Sequence, residues 1–293
     1  MKHQSSILWL VFLGLLLSFS SLAGAAASPS SPVRLTEGPG ETVLVSDYRR
    51  QAIIHVDLKN LKERRKLRID GKPLGVVWAD GLLYVGNESR GQVEVYGTGS
   101  KVLRVIGEEG SMIPNDLAID RESGRLFVAD CRDQAVKVFT LAGDYLFNIG
   151  AAALARPVAL SFDPQRRELL VSDFGRPEAG IPPAVYIFDG EGTQLARIPG
   201  SQKTGMFSST TTFLRPQGVV ASDGSICLVD SFLGRLLVLD RASGSLLDSF
   251  DTSSSGEKLL LPLDPYLLPG GDVLVTNNRA GCLSRFNLAE GLP

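Results

Sequence analysis

Beyond residue 32 the chain alternates short apolar runs with polar, glycine-bearing gaps, and one run recurs six times. VLVSD ends at Asp47, LYVGN at Asn87, LFVAD at Asp130 and LLVSD at Asp173, while CLVDS brackets Asp230 and LVTNN brackets Asn277. Successive marker residues lie 40, 43, 43, 57 and 47 positions apart. The runs are short and rich in valine, which argues against helices and predicts strands. They are apolar on both faces, as in Leu83-Tyr84-Val85, so each is expected to be covered on both sides. A period of about 40–50 residues built from short strands predicts an all-β, six-bladed β-propeller with one blade per copy.

Each copy divides further. A first strand begins at a proline: Pro32, Pro73, Pro114, Pro157, Pro216 and Pro262. Proline suits a strand start, where its missing N–H costs no ladder bond. The marker run is the second strand, and a polar turn follows it. A third strand places apolar residues six and nine positions beyond the marker, as at Ile53 and Val56 or Val136 and Phe139, with an insertion delaying the pair to Val185 and Phe188 in the fourth copy. A fourth, outer strand is visible at Tyr145–Ile149, Leu195–Ile198 and Leu246–Phe250. After Phe286 only NLAEGLP remains, so the last blade either has three strands or borrows a fourth from the start of the chain. The recurring Asp or Asn is expected to be structural, accepting hydrogen bonds from turn N–H groups.

The first 27 residues read as a secretory signal peptide: Lys2 and His3, an apolar stretch from Ile7 to Leu17, then Ala25-Ala26-Ala27. The apolar stretch is short for a bilayer span, which needs about 20 residues. Residues 28–32 form a flexible lead-in, and 33–293 form the propeller. The expected location is therefore periplasmic or extracellular, with no stable membrane span after signal removal. The net charge of −2 offers no general case for a nucleic-acid partner. Cys131, Cys227 and Cys282 are an odd number, so at least one stays unpaired; a bridge between Cys227 and Cys282 remains open.

The segment PNDLAIDRESGRLFVADCRDQAVKVF, Pro114–Phe139, resembles the NHL repeat, and Pro216–Leu239 and Pro157–Asp173 also fit it. The resemblance covers nearly the whole chain after the leader and implies a six-bladed propeller, without implying an activity. It departs from the NHL pattern in the turn after the marker, where only Arg235 holds the usual arginine position. Glu37-Gly38-Pro39 and Pro114-Asn115-Asp116 also look like fragments of the gluconolactonase and strictosidine-synthase-like propellers. That likeness implies one divalent metal, such as Ca or Zn, at the channel mouth. Glu37 and Asn115 match two of its ligand motifs, and Asp116 or Asp264 would have to supply the acid. The second asparagine motif is missing, being replaced by Pro157-Val158 and Pro216-Gln217-Gly218.

Inner strand starts and marker turns share one face of a propeller, the expected ligand face. All six turns hold arginine, represented by Arg50, Arg90, Arg132, Arg176, Arg235 and Arg279. Guanidinium groups suit carboxylates and phosphates, so an anion-binding ring is one reading; solvated or carboxylate-paired arginines are the other. Two insertions fall on the same face, at 174–183 and 201–213, the second offering Met206, Phe207 and Phe213 as an apolar grip. After the leader the single histidine is His55, in a third strand, and there is no HExxH, no Cys/His cluster and no phosphate loop. These features point to a non-catalytic exported propeller with no cofactor, binding a protein, peptide or glycan or scaffolding an assembly. The alternative is a metal-dependent hydrolase or lyase using Glu37, Asn115, Asp116 and Asp264.

Overall fold

The structure, a computed structural model, describes residues 29–200 and 213–288. The leader, and Met206 and Phe207, lie outside the described residues. Six antiparallel sheets are arranged as a six-bladed β-propeller, each sheet running from an inner to an outer strand. Blade 1 is β1 (Pro32–Glu37), β2 (Thr42–Asp47), β3 (Ala52–Asp57) and β4 (Glu63–Arg68). Blade 2 is β5 (Pro73–Ala79), β6 (Leu82–Asn87), β7 (Gln92–Tyr96) and β8 (Val102–Ile106). Blade 3 is β9 (Pro114–Asp120), β10 (Arg125–Asp130), β11 (Ala135–Thr140) and β12 (Tyr145–Ile149). Blade 4 is β13 (Pro157–Asp163), β14 (Glu168–Asp173), β15 (Ala184–Asp189) and β16 (Gln194–Pro199). Blade 5 is β17 (Pro216–Ala221), β18 (Ser225–Asp230), β19 (Arg235–Asp240) and β20 (Leu246–Phe250). Blade 6 has three strands among the described residues, β21 (Pro262–Leu267), β22 (Val273–Asn277) and β23 (Cys282–Phe286). The one helical turn described is a 3-10 segment at Pro177–Ala179 inside the blade 4 insertion.

The apolar runs explain the packing. Both faces of each marker strand meet a neighbouring blade, and six apolar clusters result, one in each seam. Leu44, Ile53, Val76 and Val85 fill the seam between blades 1 and 2. Leu35, Val45 and Ile54 meet Leu274 and Leu283 in the seam between blades 6 and 1. Among the described residues the ring closes by packing β21 against β1, with no strand shared between the first and last blades. Side chains reinforce the closure: Asn278 Nδ2 donates to Pro32 O at 2.9 Å, and Thr276 Oγ1 to Val33 O at 3.2 Å.

The markers are structural, and each holds two segments at once. Asp230 accepts from turn N–H groups of Phe232 and Leu233, and from Leu214 and Arg215 in the link arriving from blade 4. Asp173 does the same with Gly175 and with Ala155 and Arg156. Asp47 binds Arg50 N and Ser30 N, so the lead-in before β1 takes the place of an inter-blade link. Asn87 and Asn277 also donate through Nδ2, to Asp70 O at 3.0 Å and Lys258 O at 2.8 Å.

Candidate functional site

The second residue after each inner-strand proline faces the propeller axis. Around the ring these are Arg34, Gly75, Asp116, Ala159, Gly218 and Asp264. Three small residues leave room at the axis, and Arg34 fills it. A Cβ on Gly75 would stand 2.7 Å from Asp116 Cα, and one on Gly218 would stand 2.5 Å from Leu263 O, so neither position tolerates a side chain. Arg34 is 1% exposed. Its Nε donates to Asn115 O at 3.3 Å, Nη1 to Gln217 O at 3.0 Å and Leu263 O at 3.2 Å, and Nη2 to Val158 O. One guanidinium from blade 1 therefore binds backbone carbonyls of blades 3, 4, 5 and 6. Its planar fork of donors suits such a ring in a way that a lysine ammonium does not.

Two carboxylates complete the cluster. Asp264 Oδ1 lies 3.2 Å from Arg34 Nη1, and its Oδ2 accepts Leu35 N at 2.8 Å, across the closing seam. Asp116 Oδ1 lies 3.6 Å from Arg34 Nε, and its Oδ2 accepts Leu160 N at 2.9 Å, tying blade 3 to blade 4. Burial, the larger effect, raises the Asp264 carboxyl to about 8 against the pull of Arg34, and raises Asp116 as well. These are structural carboxyl groups that cross-link blades through the axis.

Three of the proposed metal residues, Glu37, Asp116 and Asp264, border one axial cavity, but they and Asn115 are each engaged elsewhere and do not converge as a ligand set. Asp116 and Asp264 are bound to Arg34 and backbone N–H groups. Asn115 directs its amide to Cys131 Sγ on the marker face. Glu37 ends β1, three residues beyond Arg34, or about 10 Å along the strand, and pairs with Arg121 on the far face. The Glu-Gly-Pro motif sits in the β1–β2 turn, the opposite end of the strand from Asn115. Among the described residues no group of three or more His, Cys, Asp or Glu side chains is placed to hold a metal ion. A divalent metal of the lactonase type does not fit these residues.

The turn arginines do not form a ring either. Arg50 pairs with Glu63 of the outer strand at 2.6 Å, and Arg90 with Asp70 in the link to blade 2 at 2.6 Å. Arg132 donates to Gly110 O and Arg176 to Gln134 Oε1. These four brace links and neighbouring turns, while Arg235 and Arg279 stand exposed. The physical reason is proximity: the links beside each turn carry acids and free carbonyls within reach of a long side chain. Arg156 and Arg215, just before the inner prolines, flank the Phe174 ring at 6.0 and 5.0 Å. Phe232 beside them is 63% exposed, and Leu260 and Leu261 are exposed at the start of blade 6. Phe213 is buried in the seam of blades 4 and 5 and is no surface grip.

The remaining reactive side chains are poorly placed for chemistry. His55 is half-buried in β3, and burial and then Arg65 lower its pKa. All three thiols are free. Burial pushes Cys131 up to about 11 and Cys227 up to about 12, leaving neither as a thiolate at neutral pH.

No protein-family model matches the sequence, and no curated protein does. The fold is shared with solved structures. The chain is similar to hydrazine synthase of Kuenenia stuttgartiensis, with 14% identity, a TM-score of 0.65, and coverage of 90% of this chain and 97% of that one. It is also similar to a chain of a nidogen/laminin complex, with 17% identity, a TM-score of 0.63, and coverage of 86% and 95%. Such identities speak for architecture alone, and the architecture they share with this chain is the six-bladed β-propeller.

Proposed function

We propose that this chain is a non-catalytic propeller of NHL type, exported to the periplasm or cell exterior, that docks a protein, peptide or glycan on its marker face or scaffolds an assembly there. The observation that carries the reading is the use made of the axis. The polar groups best placed for chemistry are consumed by Arg34, which seals the channel beneath that face. In the turns and links of that face, large apolar side chains stand in solvent, namely Phe232, Leu260 and Leu261, with Phe174 held between two arginines. An aromatic and arginine patch on a rigid scaffold is the composition of a protein-binding hot spot. The similar folds include an enzyme and a member of a protein complex, so the fold is neutral between the two readings.

The test is cross-linking of the full chain in extract from its native source, identification of the retained protein or glycan, and re-binding of the purified partner. The partner is expected to bind the Phe232→Ser, Leu260→Ser variant at least about tenfold more weakly, with the melting temperature unchanged. Saturable turnover of a lactone or ester by the purified chain, abolished by EDTA, would overturn the proposal in favour of the hydrolase reading.

A further inference from the structure

On the far face, away from the marker turns, the sealed channel opens as a cavity of 240 Å³ that all six inner strands line. Taking about 30 Å³ per water, it has room for about eight waters or one small organic molecule. Its aromatic lining comes from alternate blades: Trp78 from β5, Phe162 from β13 and Tyr266 from β21. The floor is formed by Asp116 and Asp264, two carboxylates facing one buried guanidinium. At the mouth Glu37 pairs with Arg121, whose Nη2 also donates to Trp78 O at 3.0 Å. Both members of that pair are about half exposed, with side-chain exposures of 51% for Arg121 and 44% for Glu37.

Each feature favours the same guest. Aromatic faces attract cations through their quadrupoles, most strongly where water is excluded. Burial keeps Asp264 largely protonated up to about pH 8, so the floor is close to charge balance with Arg34, and the negative group offered to a guest is Glu37 at the mouth, whose partner Arg121 is half exposed. An anion would meet the negative faces of the aromatic rings and Glu37 at the mouth. A neutral guest would forgo both electrostatic attractions. We propose that this cavity is a binding site for a small organic cation, a quaternary or protonated amine with an apolar body, seated between Trp78 and Tyr266, with Arg121 competing for Glu37. The site is independent of the docking face proposed above and lies on the opposite side of the axial seal.

The protein carries its own reporter. The sequence has two tryptophans, Trp9 and Trp78, so the full chain with Trp9→Phe emits from the cavity alone. Choline is the probe, titrated at constant ionic strength, with 3,3-dimethylbutanol as its neutral isostere and acetate as an anionic control. A saturable change in Trp78 emission is expected with choline, and a response at least about tenfold weaker with the alcohol. Glu37→Gln is expected to weaken choline binding about tenfold, and Arg121→Gln to strengthen it by removing the competing cation. Both side chains are half exposed, so unchanged melting temperatures are expected. No saturable response to choline, equal responses to choline and the alcohol, saturable acetate binding lost in Arg121→Gln, or weaker choline binding in Arg121→Gln would each overturn the proposal.

Discussion

Arg34 is the residue on which the axis depends, and its contacts set the sign and size of what its loss would do. Replacing it with methionine keeps the bulk but leaves two buried carboxylates without their cation and four carbonyls without a donor. Breaking a buried pair from one side costs about 3–5 kcal/mol, and that loss is expected in urea unfolding of Arg34→Met. Arg34→Lys is expected to recover only part of it, because an ammonium cannot reach four strands at once. The two aspartates sharing one guanidinium also set a pH dependence. Asp264 is raised to about 8 by burial first, with Arg34 opposing, whereas the unfolded chain titrates near 3.9. Between about pH 4 and pH 8 the folded protein therefore binds more protons than the unfolded one, and this contribution to stability is lost as pH rises through that window. Thermal melts from pH 5 to pH 8 are expected to show a smaller slope for Asp116→Asn, which leaves a one-to-one pair. The signal for this cluster was present in the sequence. Aligning the copies two residues after each proline gives Arg, Gly, Asp, Ala, Gly and Asp, one long cation among small residues and two acids. Reading the acids without the arginine turned a structural ion cluster into half a metal site.

At the scale of the blade, the marker and the third strand are matched by a polar pair in blades 2, 3 and 6. Seven residues after the marker, Asn87 meets Glu94, Asp130 meets Lys137 and Asn277 meets Ser284. In these three blades the carboxylate faces a cation and the amides face acceptors. Glu94 is buried and also accepts from Tyr96 OH at 2.6 Å. Asn87→Asp would set a second carboxylate against it and is expected to destabilise by about 2–4 kcal/mol. Adding Glu94→Lys recreates the blade 3 pairing, and a favourable coupling of about 1 kcal/mol or more is expected from the double-mutant cycle. The turns show why some elements were readable and others were not. The fourth residue after the marker adopts positive φ at Gly91, Gly234 and Gly281, where glycine announces it, but also at Gln51 and Gln134, where nothing in the residue type does. Strands 1 to 3 were legible because burial on both faces forces apolar residues at fixed offsets. The outer strands β4 and β8 were harder to see because one side faces solvent: ERRKLR buries only Leu67 fully.

At the scale of the whole molecule, side chains and packing close the ring among the described residues, without a shared strand there. The last blade has three strands among the described residues, and the segment before it covers part of the open edge, with Ser254 N donating to Arg285 O at 3.0 Å. Loosening that seam is expected to be felt locally. Asn278→Ala removes two donations to the start of β1, to Ser31 Oγ and Pro32 O, and is expected to lower stability by about 1–3 kcal/mol. Hydrogen exchange is expected to quicken in β1 and in β21 to β23 while blades 2 to 5 keep their protection. The closure was beyond the reach of the sequence, since it depends on contacts between residues more than 200 positions apart. Those same contacts impose an order of events on a chain made from its amino end. The arginine is synthesised with the first blade, yet its last two carbonyl partners leave the ribosome some 180 to 230 residues later. Until then the nascent protein carries an unseated hub. Its final assembly step waits on the arrival of the sixth blade, however early the other seams have formed.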